Sequence, residues 1–262
     1  MALDPFANDE PGSGRWIRWL AFIGSALLAA GALRFAWFEP ILAAILLGAA
    51  LLLFAFRMLS RRRLRKVLQS GDVSSVLERW SPSFHRIPHA ETMAPLMTAT
   101  AFAAYGWVEK ARAALAAAKR GPAWEAAIEH RLFLDALLLT FEGDRDGALD
   151  RAGRLERLPL PDSAGSALRD RIQMLRKAVA ALARAFAHQS LPGDQQLLET
   201  ASETSPLVFW AMRYAAAVVA VDRGDLTKVR QLLTGAPNWP KESTFRAFHD
   251  EIADRAGIST AA

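Results

Sequence analysis

Cysteine is absent from this chain of 262 residues. Its absence excludes disulfide bonds, thiolate metal sites and cysteine nucleophiles. Tyrosine occurs only twice, and threonine and isoleucine, which also favour strands, are sparse. Alanine, leucine and arginine dominate instead, and this composition predicts an all-α protein.

Motifs of catalysis and metal binding are also missing. The sequence contains no glycine-rich phosphate loop, serine nucleophile elbow or paired acidic metal motif. His85 and His89 are four residues apart, but Pro88 lies between them, and we interpret both as loop histidines. We therefore expect no enzyme activity, no cofactor and no metal. The other histidines are predicted to lie alone on helix surfaces: His130, His188 and His249.

Long apolar runs are abundant near the beginning of the chain. Residues 16–33 and 40–56 are almost free of charge, and a transmembrane helix needs about 20 such residues, with a range of roughly 17–25. Because the turn at 34–39 is too short to cross a bilayer, the two spans must be antiparallel. The sequence thus predicts a disordered tail (1–15), a transmembrane hairpin (16–59), a basic juxtamembrane helix (60–70) and a helical domain (71–262).

The net charge of +5 comes from one place in the chain. Residues 1–60 and 67–262 each balance to zero, and the excess lies in a basic cluster that follows the second apolar run: Arg61, Arg62, Arg63, Arg65 and Lys66. The positive-inside bias places this cluster, and with it both termini, in the cytoplasm. We expect a bacterial-type inner-membrane protein with two spans, and no nucleic-acid partner.

Two alternatives to the hairpin are less consistent with the residues. A cleaved signal peptide would use Ala30-Gly31-Ala32, but the region before the first run is acidic rather than basic. A buried soluble hairpin would need a polar stripe, and neither run has one.

A repeated pattern runs through the second part of the chain. Gly-Asp dipeptides occur at Gly71, Gly143, Gly193 and Gly224, and Gly106-Trp107 behaves similarly. Three copies share a longer pattern, with alanine seven residues before the glycine, alanine or valine five after it and proline sixteen after it. These residues are Ala99, Gly106, Ala111 and Pro122; Ala136, Gly143, Ala148 and Pro159; and Ala217, Gly224, Val229 and Pro240.

This pattern resembles the tetratricopeptide repeat. Intervals of 35, 37, 50 and 31 residues separate the glycines, around that family's period of about 34. The resemblance implies an α-solenoid of antiparallel helix pairs, in which glycine ends one helix, aspartate caps the next and the alanines allow close packing. Predicted helices are 64–70 with 73–80, 92–105 with 108–119, 124–141 with 145–158, 163–189 with 195–203, and 206–222 with 226–233, followed by a capping helix at 242–256.

The resemblance also implies a function. Stacked helix pairs form a groove that binds proteins or peptides, and the order of hairpin, basic cluster and repeats is similar to the topology of HemY-like membrane proteins. We expect a membrane-tethered adaptor whose partners are the lipid bilayer and an unidentified protein or peptide. Two alternatives stay open. One is a structural subunit of a secretion or envelope complex whose spans make the contacts, and the other is a regulator that binds lipid or nucleic acid through the basic cluster.

Overall fold

The computed structural model describes residues 40–84, 86–161 and 165–257, without the side chains of 40–47, 50 and 61–64. The predicted tail, the first predicted span and His85 lie outside these residues. Every regular element in the described part is helical, as the composition predicts. The α-helices are α1 Pro40–Gln69, α2 Val73–Phe84, α3 Ala90–Ala104, α4 Val108–Ala116, α5 Pro122–Ala126, α6 Ile128–Glu142, α7 Arg145–Glu156, α8 Ser166–Phe186, α9 Asp194–Thr204, α10 Phe209–Asp222, α11 Leu226–Leu233 and α12 Thr244–Arg255. A 3₁₀ turn, Pro206–Val208, precedes α10.

Left-handed glycines separate the helices of each predicted pair. The φ angles are +80° at Gly71, +73° at Gly106, +84° at Gly143, +93° at Gly193 and +72° at Gly224. A residue with a Cβ atom is strained in this region, whereas glycine is not. The left-handed geometry predicted from the repeated glycines is therefore observed at all five positions.

The aspartates after these glycines do not all act as predicted. Asp144 and Asp225 cap the next helix, since their carboxylates accept hydrogen bonds from the backbone N–H of Gly147 and Lys228 at 3.0 Å each. Asp194 was predicted to cap as well, and this prediction is wrong. It lies inside α9, and its carboxylate instead binds the Arg184 guanidinium at 2.7 and 2.9 Å.

The helix predicted over 124–141 is interrupted. Ala127 has φ −83° and ψ 22°, so the chain leaves the helix between α5 and α6. The break frees the carbonyl oxygen of Trp124, and the Arg131 guanidinium donates to it at 3.1 Å. A side chain thus replaces the helical bond that the sequence pattern had led us to expect.

The core is built largely from alanine. The first helices of successive predicted pairs, α3, α6, α8 and α10, contact one another in that order, and each also contacts the second helix of its own pair. Helix α10 is apolar on nearly every face and lies centrally, as predicted, touching α3, α8, α9, α11 and α12. Small side chains on these helices allow the backbones to approach closely.

The final segment of the chain folds back onto the beginning of the domain. The Thr244 N–H donates to the Gly106 carbonyl at 2.9 Å, and the Ser243 hydroxyl donates to the Tyr105 carbonyl at 2.7 Å. Helix α12 then reaches α6 through Phe245, whose ring centroid lies 5.3 Å from that of Phe141. The sequence predicts a helix that covers the last pair, but α12 also contacts the earlier ones.

Helix α1 is joined firmly to the domain at its C-terminal end. Leu68 is buried, and its carbonyl accepts a hydrogen bond from the Tyr105 hydroxyl at 2.8 Å. The Gln69 carbonyl accepts one from the Trp210 indole at 2.9 Å. Two otherwise unsatisfied carbonyls of the helix end are thus satisfied by side chains that come from distant parts of the chain.

Candidate functional site

The residues of the repeated pattern are distributed along the helices and their connections and do not converge on one site. The alanines and valine are at most 1% exposed: Ala99, Ala111, Ala136, Ala148, Ala217 and Val229. Pro122 begins α5, whereas Pro159 and Pro240 lie in connections between helices. The Pro159 carbonyl accepts from the Arg176 guanidinium at 3.4 Å. The alanines and the valine therefore pack between helices, and the prolines lie at a helix start or in connections.

A cleft of about 290 Å³ lies where the C-terminal ends of α6, α8 and α10 meet α12. Its floor contains three phenylalanine rings in mutual contact. The centroid of Phe186 lies 4.8 Å from that of Phe248 and 6.3 Å from that of Phe141. Phe186 and Phe248 are only half-buried, so part of this aromatic surface is accessible from the cleft.

Charged side chains form the rim of the cleft, and most of them are paired. Glu142 accepts two hydrogen bonds from Arg112, at 2.7 and 2.8 Å. The His188 ring lies 2.9 Å from the Asp222 carboxylate, and Arg255 donates to Glu251 at 2.6 Å. Paired charges around an apolar floor suit the capture of an apolar side chain, with polar groups at the edge to bind a backbone.

Part of the cleft floor can be recognised in the sequence from aromatic residues that precede a glycine turn. Tyr105 and Phe141 stand one and two residues before a left-handed glycine, at the ends of the first helices, where the last segment crosses them. Of these two, Phe141 lines the cleft. The contribution of Phe248 could not be predicted, because it depends on the direction in which α12 returns.

On the first helix of the pair around Gly143, the repeat pattern predicts Glu129 and Arg131 as solvent positions at the groove, but both are structural. Glu129 binds the Arg176 guanidinium at 3.0 Å, and the Arg176 side chain is only 5% exposed. Arg176 also donates to the Leu158 carbonyl at 2.6 Å. Arg131 stacks on the Trp124 ring, 4.7 Å from its centroid. The prediction that Glu129 and Arg131 are free surface positions is therefore wrong.

Two of the histidines predicted to lie on the surface are partly buried. His130 Nε2 is 2.6 Å from the Thr100 hydroxyl oxygen, and since that hydroxyl donates to the Leu96 carbonyl, the histidine is the donor. Burial lowers the pKa of His130 from 6.5 to about 4. Burial also lowers the pKa of His249, which lies 3.2 Å from the Tyr214 hydroxyl. Burial thus favours the neutral form of both rings.

The basic cluster is divided in its roles. Arg65 donates to the Glu203 carbonyl at the C-terminal end of α9, at 2.7 Å, whereas Lys66 is exposed. The side chains of Arg61, Arg62 and Arg63 lie outside the described residues. Before the cluster, α1 carries apolar side chains that touch little else, with Leu51 60% exposed, Leu52 72% and Phe56 70%.

The described residues offer neither a straight membrane span nor a metal cluster. No single helix there is long and apolar enough to cross a bilayer, although the bent pair Asp194–Thr204 and Pro206–Asp222 meets the criteria of length and composition. Much of that pair is buried in the core. The described residues also contain no group of three or more histidine or acidic side chains placed to hold a metal ion.

Comparisons with models of protein families, with curated proteins and with solved structures give no significant match to this chain. What the described residues define is an all-α domain with an aromatic cleft.

Proposed function

We propose that this protein is a membrane-tethered adaptor that binds a protein or peptide in the cleft between α6, α8, α10 and α12. The proposal treats the domain as a tetratricopeptide-like α-solenoid. The observation that carries it is the half-buried pair Phe186 and Phe248 at the floor of a cleft with a charged rim. Partly exposed aromatic residues in a concave site are common anchors for a partner's apolar side chain.

The tether in this proposal is the predicted hairpin. Residues 40–56 carry no charge, and the exposed side chains at Leu51, Leu52 and Phe56 on α1 are apolar around the helix. Such a surface is costly in water and favourable in lipid. We propose an inner-membrane location with two spans and both termini in the cytoplasm, as the position of the basic cluster favours.

Site-directed crosslinking tests the adaptor function. A photoreactive amino acid is placed in the full-length chain at Val221, which lines the cleft, and in a control at Arg246, an exposed residue of α12 outside the cleft. After irradiation of cells, we expect a discrete protein adduct from Val221 that is absent from Arg246. Charge reversal at the cleft residue Arg145 should weaken this adduct several-fold. Identical adduct patterns from both positions, or none from Val221, would rule out the cleft as the binding site.

The exposed apolar side chains of α1 equally favour a second function. In a structural subunit of a membrane complex, these side chains would contact helices of other subunits rather than lipid alone. In that case crosslinkers at Leu52 should capture a partner in membranes, and cleft variants should leave the complex intact.

A further inference from the structure

The aromatic cleft carries one charge that the domain does not neutralise. Among its charged lining residues, Glu142, His188, Glu251 and Arg255 are each engaged in a pair within the chain. Arg145 also lines the cleft and is exposed. Its guanidinium has no hydrogen-bond or ion-pair partner among the described residues. The free charge in the lining is therefore a single cation.

The acidic residues on either side of Arg145 leave this cation available to a partner. The Asp144 carboxylate is occupied as the cap of α7, where it accepts a hydrogen bond from the Gly147 N–H at 3.0 Å. Neither Asp144 nor Asp146 lines the cleft. An anionic group that enters the cleft thus meets Arg145, and this complementarity favours an acidic partner.

The position of Arg145 limits where the partner's acidic group can be. Arg145 follows the floor residue Phe141 by four residues, a stretch of chain that spans at most about 14 Å. An extended peptide rises about 3.3 Å per residue. When its apolar side chain lies on the floor, a carboxylate within about three residues of that side chain can therefore reach Arg145.

The size of the cleft limits the number of apolar anchors. Its volume of about 290 Å³ is at the lower end of the range for ligand sites, about 300–1,000 Å³. The floor therefore accommodates one apolar side chain, and the rest of a bound peptide must lie along the charged rim.

We infer that the cleft binds a peptide segment in which an apolar side chain stands within three residues of an acidic one. The apolar side chain packs on Phe186 and Phe248, and the acidic side chain pairs with Arg145. This inference rests on the proposed adaptor function and specifies the chemistry of the partner. Because an exposed ion pair contributes little by itself, the apolar side chain supplies most of the affinity and the acidic one supplies selectivity.

Synthetic peptides test both parts of the recognition. The full-length chain with a photoreactive amino acid at Val221 is purified and irradiated with biotinylated Gly-Gly-Phe-Gly-Glu-Gly-Gly amide. Three further peptides carry Gln or Lys in place of Glu, or Ala in place of Phe. The amide end leaves the side-chain carboxylate as the only anion. We expect capture of the Glu peptide to exceed that of the Gln peptide about two- to fivefold, the range of an exposed ion pair, and capture of the Ala peptide to be weakest.

Salt and charge reversal test the role of Arg145. The preference for Glu over Gln should disappear at about 1 M salt, where the Debye length is about 3 Å. Arg145→Glu should invert the preference, so that the Lys peptide is captured more than the Glu peptide. Glutamate suits the first turn of a helix, so this variant should fold. Arg230→Glu, at an exposed residue of α11 outside the cleft, is the matched control and should keep the original preference.

Several results would overturn the inference. These are equal capture of the Glu and Gln peptides, equal capture of the Phe and Ala peptides, an unchanged preference in Arg145→Glu, and capture of no peptide. Displacement of the Glu peptide by an equal concentration of 4-phenylbutyrate would also overturn it, because the cleft would then bind a small amphiphilic acid. Absence of an adduct from Val221 in cells is a separate result, which overturns the adaptor function itself.

Discussion

At the scale of single residues, two glycines with similar backbone angles have different surroundings. A Cβ atom on Gly106 would lie 2.9 Å from both a Phe245 ring carbon and the Ser243 hydroxyl, whereas one on Gly143 would meet nothing within 4 Å. Gly143→Ala should therefore cost only the left-handed strain, about 1–2 kcal/mol. Gly106→Ala should cost more, because the last segment must also move. Unfolding of the two variants in detergent would measure the difference, and equal losses would contradict the close packing at Gly106.

His130 should make stability depend on pH. Its pKa is lowered to about 4 in the folded protein, so the unfolded chain binds more protons between pH 4 and 6.5. The free energy of unfolding should fall as pH decreases through this window, by up to about 3 kcal/mol. His130→Gln, which can still donate to Thr100, should remove most of this slope.

Two other histidines provide the comparison for that measurement. His249, whose pKa is also lowered, should account for the slope that persists in the His130→Gln variant. His188 is half-exposed beside Asp222, and His188→Gln should leave the contribution of His130 in place. An unchanged slope in the His130→Gln variant would show that this ring titrates normally.

At the scale of elements, the order and bounds of the helices could be predicted because their ends carry local signals. Each Gly-Asp dipeptide marks a helix end, because glycine adopts the left-handed conformation found there without strain. The exceptions required information from elsewhere in the chain. Asp194 pairs with Arg184 rather than capping α9, and Arg131 stabilises the break after Trp124. Neither partner can be identified from spacing along the sequence.

The register of the helix pairs can be tested at Ala136. This side chain is fully buried on α6, so Ala136→Leu should overpack the interior and cost on the order of 1–3 kcal/mol. Ala113→Leu, at an exposed position of α4, is the matched control and should be nearly neutral. If thermal unfolding gives the same midpoint for both variants, Ala136 is not a packing position.

The division of the basic cluster predicts unequal effects of two neighbouring substitutions. Arg65→Gln removes a charge-assisted bond to the C-terminal end of α9, which should cost roughly 1–2 kcal/mol. Lys66→Gln removes an exposed charge and should leave the melting temperature within about a degree. Similar losses from both would mean that Arg65 does not clamp α1 to the domain.

At the scale of the whole molecule, the proposed topology has a direct test. A reporter that is active only in the periplasm, fused after Ala262, should stay silent if both termini are cytoplasmic. The same reporter fused within residues 34–39 should be active, since that turn is predicted to lie on the opposite side. A periplasmic signal from the C-terminal fusion would reverse the orientation and place the cleft in another compartment.

The position of the cleft shows where sequence reasoning ends. Aromatic residues before the glycine turns can be recognised, and so can the apolar face of the last helix. The contact between these aromatic residues and the last helix cannot be recognised, because it depends on the path of the connection 234–243. Trp239 and Pro237 set this path by packing near Gly71. Local sequence patterns determine the helices, whereas the packing of the last segment against the earlier helices determines the cleft.

The return of the last segment also has a consequence for synthesis of the chain. Tyr105 meets Ser243 across 138 residues, and Gln69 meets Trp210 across 141. An ordinary repeat array can fold from one end as it leaves the ribosome, because each unit needs only its neighbour. Here the aromatic ends of α3, α6 and α8 stay uncovered until α12 emerges. The nascent domain should therefore bind chaperones until α12 has been made, and then fold in a single cooperative step.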